Sequence, residues 1–212
     1  MAPTDLHAPA STRRDRRRLE LFERILEAAE LLFNEHGYEA TKVASICESA
    51  DVAYGTFFNH FPAKQDLLRA LADRYVGRVG KRLEDLAKRP GTIEDLLIEL
   101  FEGGALQIET VTEHRRDIVG RVQSIAFTDT PEDRDRRFHA AFEIFLRSCR
   151  EDGRLRGDVP IEVLADVVSS TYSAMSLSWV HFDDYPVRER AAATARFLAQ
   201  SLDVRRNTRE EI

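Results

Sequence analysis

Apolar residues recur along this chain at spacings of three and four and nowhere alternate one by one. The pattern predicts helix after helix and no strand. Phe22, Ile25, Ala29, Leu32, Phe33 and His36 share one face of a first helix, which Gly37 should end in a left-handed cap. Thr41 is placed to cap a second helix, whose buried face is Val43, Ile46, Cys47 and Ala50. Asp51-Val52-Ala53 reads as a short turn. The stretch VAYGTFFNHFPAK (52–64) then makes a short helix closed by Pro62. A long amphipathic helix follows, carrying Leu67, Leu68, Leu71, Tyr75 and Val76 and running to about Ala87, until Arg89-Pro90-Gly91 breaks it.

The rest of the chain has the same character. Thr92-Ile93-Glu94-Asp95 looks like a helix start leading into LLIELFEGGALQIETV. Thr130-Pro131-Glu132-Asp133 is another, with Pro in the first turn and acids at the positive end of the dipole; its helix carries Phe138, Phe142, Phe145 and Leu146. Gly153 and Gly157 flank a turn. Val159-Pro160 opens IEVLADVVSSTYSAMSLSWVHF, and Asp184-Tyr185-Pro186 separates it from a last helix ending near Leu202. There is no internal repeat. The expected class is all-α.

The short helix has two unlike sides. At about 100° per residue from Phe57, Phe61 falls near 40°, Tyr54 near 60° and Phe58 near 100°, an apolar side. Gly55, Asn59, Thr56 and His60 fall between about 160° and 300°, a side of small and polar groups. A helix, a three-residue turn and such a helix make the helix-turn-helix arrangement, in which the second helix enters the major groove. Gly55 and Thr56 are small enough for close approach, and Asn59 can pair bidentately with adenine. The helix that starts near Lys64 offers free N–H groups and a charge to a phosphate. The competing reading is a buried helical hairpin.

Charge sharpens this. The chain of 212 residues carries a net charge of −6, which disfavours a nucleic-acid coat protein but not a specific binder, since placement of charge decides. From residue 19 to 64, Arg24, Lys42 and Lys64 face eight acids, a surface that DNA would repel unless the charges are segregated. Arg13, Arg14, Arg16, Arg17 and Arg18 form a basic block just upstream. It is either a solvated, partly disordered arm or an arm that meets phosphates. Cys47 and Cys149 imply no disulfide framework and suit a reducing cytoplasm. No apolar run is long enough for a bilayer, and the N-terminus does not read as a secretory signal.

At FNEHGYEATKVASICESADVAYGTFFNHFPAKQDLL the sequence resembles the TetR family of bacterial transcriptional regulators. The likeness runs from about Leu19 to Tyr75. It follows the family's order of Gly-aromatic, Thr, Ile-Ala, Gly-Val-Ser, Gly-Thr-Leu-Tyr, Tyr/His-Phe and Lys with Leu. The resemblance implies a homodimer on double-stranded operator DNA, with one helix-turn-helix per subunit and a C-terminal helical domain for a small-molecule effector and dimerisation. It puts a phosphate-contacting cap at Thr41, with Lys42 beside it. Variable base-reading positions fall at Tyr54, Gly55, Thr56 and Asn59, and phosphate contacts at His60 and Lys64. Four positions depart from the pattern: Asp51 stands for the turn Gly, Ala53 for the capping Ser, Phe58 for a phosphate-binding Tyr, and Ala63 for a polar cap. Tyr54 either packs with the Phe side or reads a base.

The expected organisation is a basic arm over 1–18, a DNA-binding domain over 19–64, an effector and dimerisation domain over 65–205, and a tail over 206–212. Phe101, Gln123, Phe142, Tyr172, Met175 and Trp179 are the candidate effector contacts, against the plainer reading of core packing. His114, Arg121, Gln123 and His139 are either polar anchors there or surface groups. No His-Glu-x-x-His, Cys-x-x-Cys or phosphate-binding Gly loop suggests an enzyme, a metal or a cofactor. The reading is a repressor released by an effector; a helical interaction module without DNA, and an activator, are the alternatives.

Overall fold

A computed structural model describes residues 13–109, 113–128 and 132–203. Among the described residues there are nine helices and no strand: α1 (Arg13–His36), α2 (Val43–Ser49), α3 (Tyr54–His60), α4 (Lys64–Ala87), α5 (Ile93–Glu109), α6 (Glu113–Thr128), α7 (Glu132–Glu151), α8 (Ile161–His181) and α9 (Val187–Leu202). The chain divides into two compact units, one up to Leu67 and one from Leu68 onward, so the division falls inside α4.

In the first unit α1 packs on α2 and α2 on α3. Ile25, Leu26, Ala29 and Phe33 of α1 meet a core completed by Ile46, Phe57 and Phe61, all buried. Gly37 ends α1 as expected, with φ 82° and its N–H donated to Phe33 O at 2.9 Å. Two expectations are corrected. The basic block at 13–18 is not a disordered arm: these residues are the first turns of α1, with every side chain exposed. Residues 1–12 lie outside the described residues. Thr41 does not cap α2, whose N-cap is Lys42 with no side-chain hydrogen bond. The Thr41 side chain is turned inward, its hydroxyl 2.7 Å from Gly37 O and 3.1 Å from Leu32 O. It adds a donor to carbonyls at the end of α1 and in the turn that follows.

In the second unit α9 packs on α5, α8 on both α7 and α9, and α6 on α8. Leu97, Leu100 and Phe101 of α5, Phe142 and Leu146 of α7, Val168 of α8 and Ala191 and Ala195 of α9 are at most 1% exposed. Burying each of the larger side chains stabilises the unit by about 1.5–3 kcal/mol. The Thr92 cap is present as a reciprocal pair: Asp95 N–H donates to Thr92 Oγ1 at 3.2 Å, and Thr92 N–H donates to Asp95 Oδ2 at 2.9 Å. The helix expected from Thr92 onward is α5, and a further helix the sequence reading did not assign, α6, lies between it and the expected start at Thr130. The expected start at Thr130-Pro131 and the 206–212 tail lie outside the described residues. Among the described residues no helix is long and apolar enough to cross a membrane.

Candidate DNA interface and effector site

α3 is short: it starts without a side-chain cap, and Phe61, the residue before Pro62, is extended (φ −131°, ψ 96°) and ends the helix as expected. Ala53 offers no side-chain cap, and its carbonyl accepts from Thr56 N at 2.9 Å and Phe57 N at 3.2 Å. Phe57 and Phe61 anchor the helix, at 0% and 2% exposure, and Phe61 stacks on Phe22 of α1 at 4.9 Å. Phe58 is corrected from the sequence reading: it is 39% exposed, on the margin of the core rather than inside it. It meets Tyr54 edge-on at 5.0 Å, and Tyr54 is 56% exposed. The structure therefore turns Tyr54 outward.

Gly55 and Asn59, one turn apart on the same face, are exposed, and Thr56 and His60 are half-buried. A Cβ added at Gly55 would meet nothing within 4 Å. No neighbour in the chain calls for glycine there, yet glycine weakens a helix by up to about 1 kcal/mol relative to Ala. A surface that accepts this cost with no packing reason fits an approach from outside the molecule.

The turn before α3 is steadied by a residue whose role the sequence reading missed, Arg24. Asp51 has φ 50°, a left-handed conformation without glycine. Arg24 of α1 reaches across to it. Its guanidinium donates to Ala50 O in a short bond and to Asp51 O at 3.2 Å, and lies 3.7 Å from the Asp51 carboxylate. The cation thus closes the carbonyl end of α2, where a positive charge is favoured. Arg24 is exposed, one turn before the buried Ala28 of α1; in the sequence it was only one of three cations among acids.

Around this face the basic groups are held in different ways. Lys42 is exposed at the start of α2. Lys64 Nζ lies 4.2 Å from the centre of the Tyr38 ring and 3.4 Å from Glu39 O. That cation–π contact fixes the head group rather than leaving it to swing. Ala63, which lacks a polar side chain, is served from behind: Asp66 accepts its N–H at 2.8 Å. His60 faces Phe22, and burial together with the Arg18 charge holds its imidazole below the usual 6.5, so the neutral form is favoured.

In the second unit all six effector candidates are buried. Three come together: Tyr172 lies 5.4 Å from Phe101 and 5.8 Å from Phe142, ring centre to ring centre. Gly104 makes room for it, since a Cβ there would stand 2.6 Å from the Tyr172 oxygen. Trp179 is covered instead by Arg116 of α6, at 4.8 Å. Gly120 lets α6 approach, a Cβ there falling 2.9 Å from Val180 Cγ1.

Polar atoms are buried in this unit as well. Gln123 is 4% exposed and its Oε1 has no hydrogen-bond partner. The Tyr75 hydroxyl faces Ser176 and Tyr172 without a well-aligned bond to either. Burial pushes the Tyr172 phenol up to about 12 and Tyr75 well above its ordinary value, so both remain neutral donors. Of the other polar residues weighed, His114 is exposed, Arg121 pairs with Asp117 at 2.9 Å, and His139 lies 3.0 Å from Ser169 Oγ. Among the described residues no group of three or more His, Cys, Asp or Glu is arranged to hold a metal.

Comparison with known proteins adds to this geometry. A family profile described as bacterial regulatory proteins, tetR family, matches residues 25–71. The HTH-type transcriptional repressor AcnR of Corynebacterium glutamicum is 31% identical over 143 residues, which are 66% of this chain and 71% of that protein. A TetR-family transcriptional regulator from Pectobacterium atrosepticum superposes with a TM-score of 0.72 at 18% identity, covering 91% of this chain and 98% of its own. The transcriptional regulator FadR from Bacillus subtilis, crystallised with stearoyl-CoA, gives a TM-score of 0.61 at 20% identity, over 84% of this chain and 96% of its own.

Proposed function

The chain belongs to the TetR family of bacterial regulatory proteins, and we propose that it works as a homodimeric repressor whose α3 reads operator DNA. The observation that carries the reading is the outward face of α3, where Gly55 has no neighbour and Asn59 stands exposed beside it. Tyr54, Gly55, Thr56 and Asn59 would meet base edges in the major groove. Lys42, His60, Lys64 and the arginines at the start of α1 would meet phosphates and supply the attraction that the acids of residues 19–64 deny. The Thr41 hydroxyl, spent inside the fold, is not part of this contact set.

Two further roles fall to the second unit. α8 and α9 form the dimer surface: Val163 and Val167 of α8 and Phe197 of α9 are 48%, 48% and 69% exposed, an apolar set that a second copy would cover. Two α3 helices about 34–36 Å apart would then read two half-sites from one face of the duplex. The Phe101–Phe142–Tyr172 cluster, with Met175, Trp179 and Gln123, forms the effector wall. Its chemistry suits a largely apolar molecule with a donor for Gln123 Oε1, in keeping with the long acyl chain held by the Bacillus FadR. Effector and operator select different states of the dimer, and each weakens the other's binding by the same factor.

One titration tests the DNA reading. Wild type, Asn59→Ala and Lys64→Ala are bound to operator and to scrambled DNA at several salt concentrations. Asn59→Ala should cost about 1–3 kcal/mol on operator only. Lys64→Ala should weaken both sequences alike and reduce the salt slope by about 1. A changed salt slope with intact operator preference for Asn59→Ala would reverse the assignment.

A further inference from the structure

Exposure, rather than polarity, decides which way α3 faces. Its exposed residues are Tyr54, Gly55, Phe58 and Asn59, whereas Thr56 and His60 are half-buried and Phe57 is buried. At about 100° per residue the exposed set spans an arc from about 60° to 200°. The outward face is thus part aromatic and part polar. Tyr54 and Phe58, one turn apart, form one row, and Gly55 and Asn59 form the next.

The aromatic row is held in place. Phe58 meets Tyr54 edge-on at 5.0 Å and the buried Phe57 edge-on at 5.2 Å. A ring backed in this way loses little freedom when a ligand is laid against it. Phe58 carries no hydrogen-bond donor, so it cannot hold the phosphate that the Tyr usual at its position holds. Gly55 lies beside the row without a side chain, and a Cβ there would meet nothing within 4 Å. The two rings and Asn59 therefore flank an open notch over the helix.

In the major groove one base offers an apolar group, the 5-methyl of thymine. Its partner adenine offers the N6 and N7 edge that an Asn amide takes bidentately. An A·T pair therefore presents the two chemistries that this face presents, and a G·C pair offers no apolar group.

We propose that Tyr54 and Phe58 form an apolar clasp for thymine 5-methyl groups, next to an adenine held by Asn59, so that each half-site carries A·T pairs under α3. The inference rests on α3 being the helix that reads DNA. Phe58 then sets specificity without a hydrogen bond of its own, and Gly55 lets the methyl come close to the helix.

The test uses the full chain, which first selects duplexes from a random-sequence pool. The selected duplex is remade with deoxyuridine for thymine at one position at a time, which removes the methyl and leaves pairing intact. At one or two positions in each half-site the exchange should weaken wild-type binding, by about fourfold for each methyl lost. Phe58→Ala should bind the thymine duplex more weakly than wild type does and no longer distinguish it from the deoxyuridine duplex. Phe58→Leu, still apolar, should keep most of the distinction. Comparing the two duplexes on one variant cancels any loss of folded protein. The proposal is overturned if no deoxyuridine position weakens binding, or if Phe58→Ala and Tyr54→Ser depend on the methyl as wild type does. In either case α3 stands as the reading helix so long as the selected duplex is preferred over scrambled DNA. If the pool yields no preferred duplex, the reading of α3 falls and this inference falls with it.

Discussion

Gly55 in α3 and Gly104 in α5 are both helical glycines, and they stand in opposite surroundings. A Cβ at Gly104 would collide with the Tyr172 oxygen at 2.6 Å, whereas one at Gly55 would touch nothing. The first glycine is explained by the inside of the protein and the second is not. The contrast extends to their neighbours: Tyr172 is buried among rings, while Asn59 is exposed beside Gly55. On the proposed reading of the α3 face, stability and recognition are drawn from separate sets of residues, and substitution should affect one without the other.

The strongest way to break that separation is through the buried rings. Phe142→Ala should cost about 3–5 kcal/mol, seen as a large fall in melting temperature. Operator preference of the protein that remains folded should be intact; a loss of preference without a loss of stability would end the contrast. Gly104→Ala comes next, at about 1–3 kcal/mol from overpacking against Tyr172, measured by chemical denaturation. Gly55→Ala should act with the opposite sign, stabilising by up to about 1 kcal/mol while operator affinity falls in a gel-shift titration. A variant that gains stability and keeps full affinity would show that nothing approaches this face.

The smallest effect is a titration. His60 is held below 6.5 in the folded chain, so the unfolded chain takes up the proton first as pH falls. Its contribution to stability is complete above about 6.5 and is lost as pH falls through the folded value. A phosphate neighbour would pull the other way, favouring imidazolium. Operator affinity should rise less than tenfold from pH 7.5 to 5.5, and His60→Asn should flatten that rise.

The apolar spacing was enough to place the helices of the first unit and most of the second, because three-four periodicity records which face is buried. Gly37 and Thr92 were legible since each acts on atoms a few residues away. Thr41 misled for the same reason: local rules see a helix start after it, while its hydroxyl answers to the end of the helix before. Phe58 misled because helical angle alone cannot tell the middle of a core from its margin. The contacts of Arg24, Lys64 and Arg82 could not be read from spacing. Their partners lie 26 residues away at Ala50, 25 at Glu39 and 17 at Glu99, and only folding brings them near.

The Arg24 bond to Ala50 and Asp51 also sets a condition on rearranging this protein. The turn uses an aspartate in a left-handed conformation, and the cation that steadies it comes from α1, outside the helix-turn-helix itself. Moving residues 43–60 into another regulator would carry the DNA-reading letters but leave their hinge pin behind. A chimaera should therefore recover the donor's operator preference fully only when the recipient's first helix also presents arginine at the position of Arg24, or when Asp51 is exchanged for glycine.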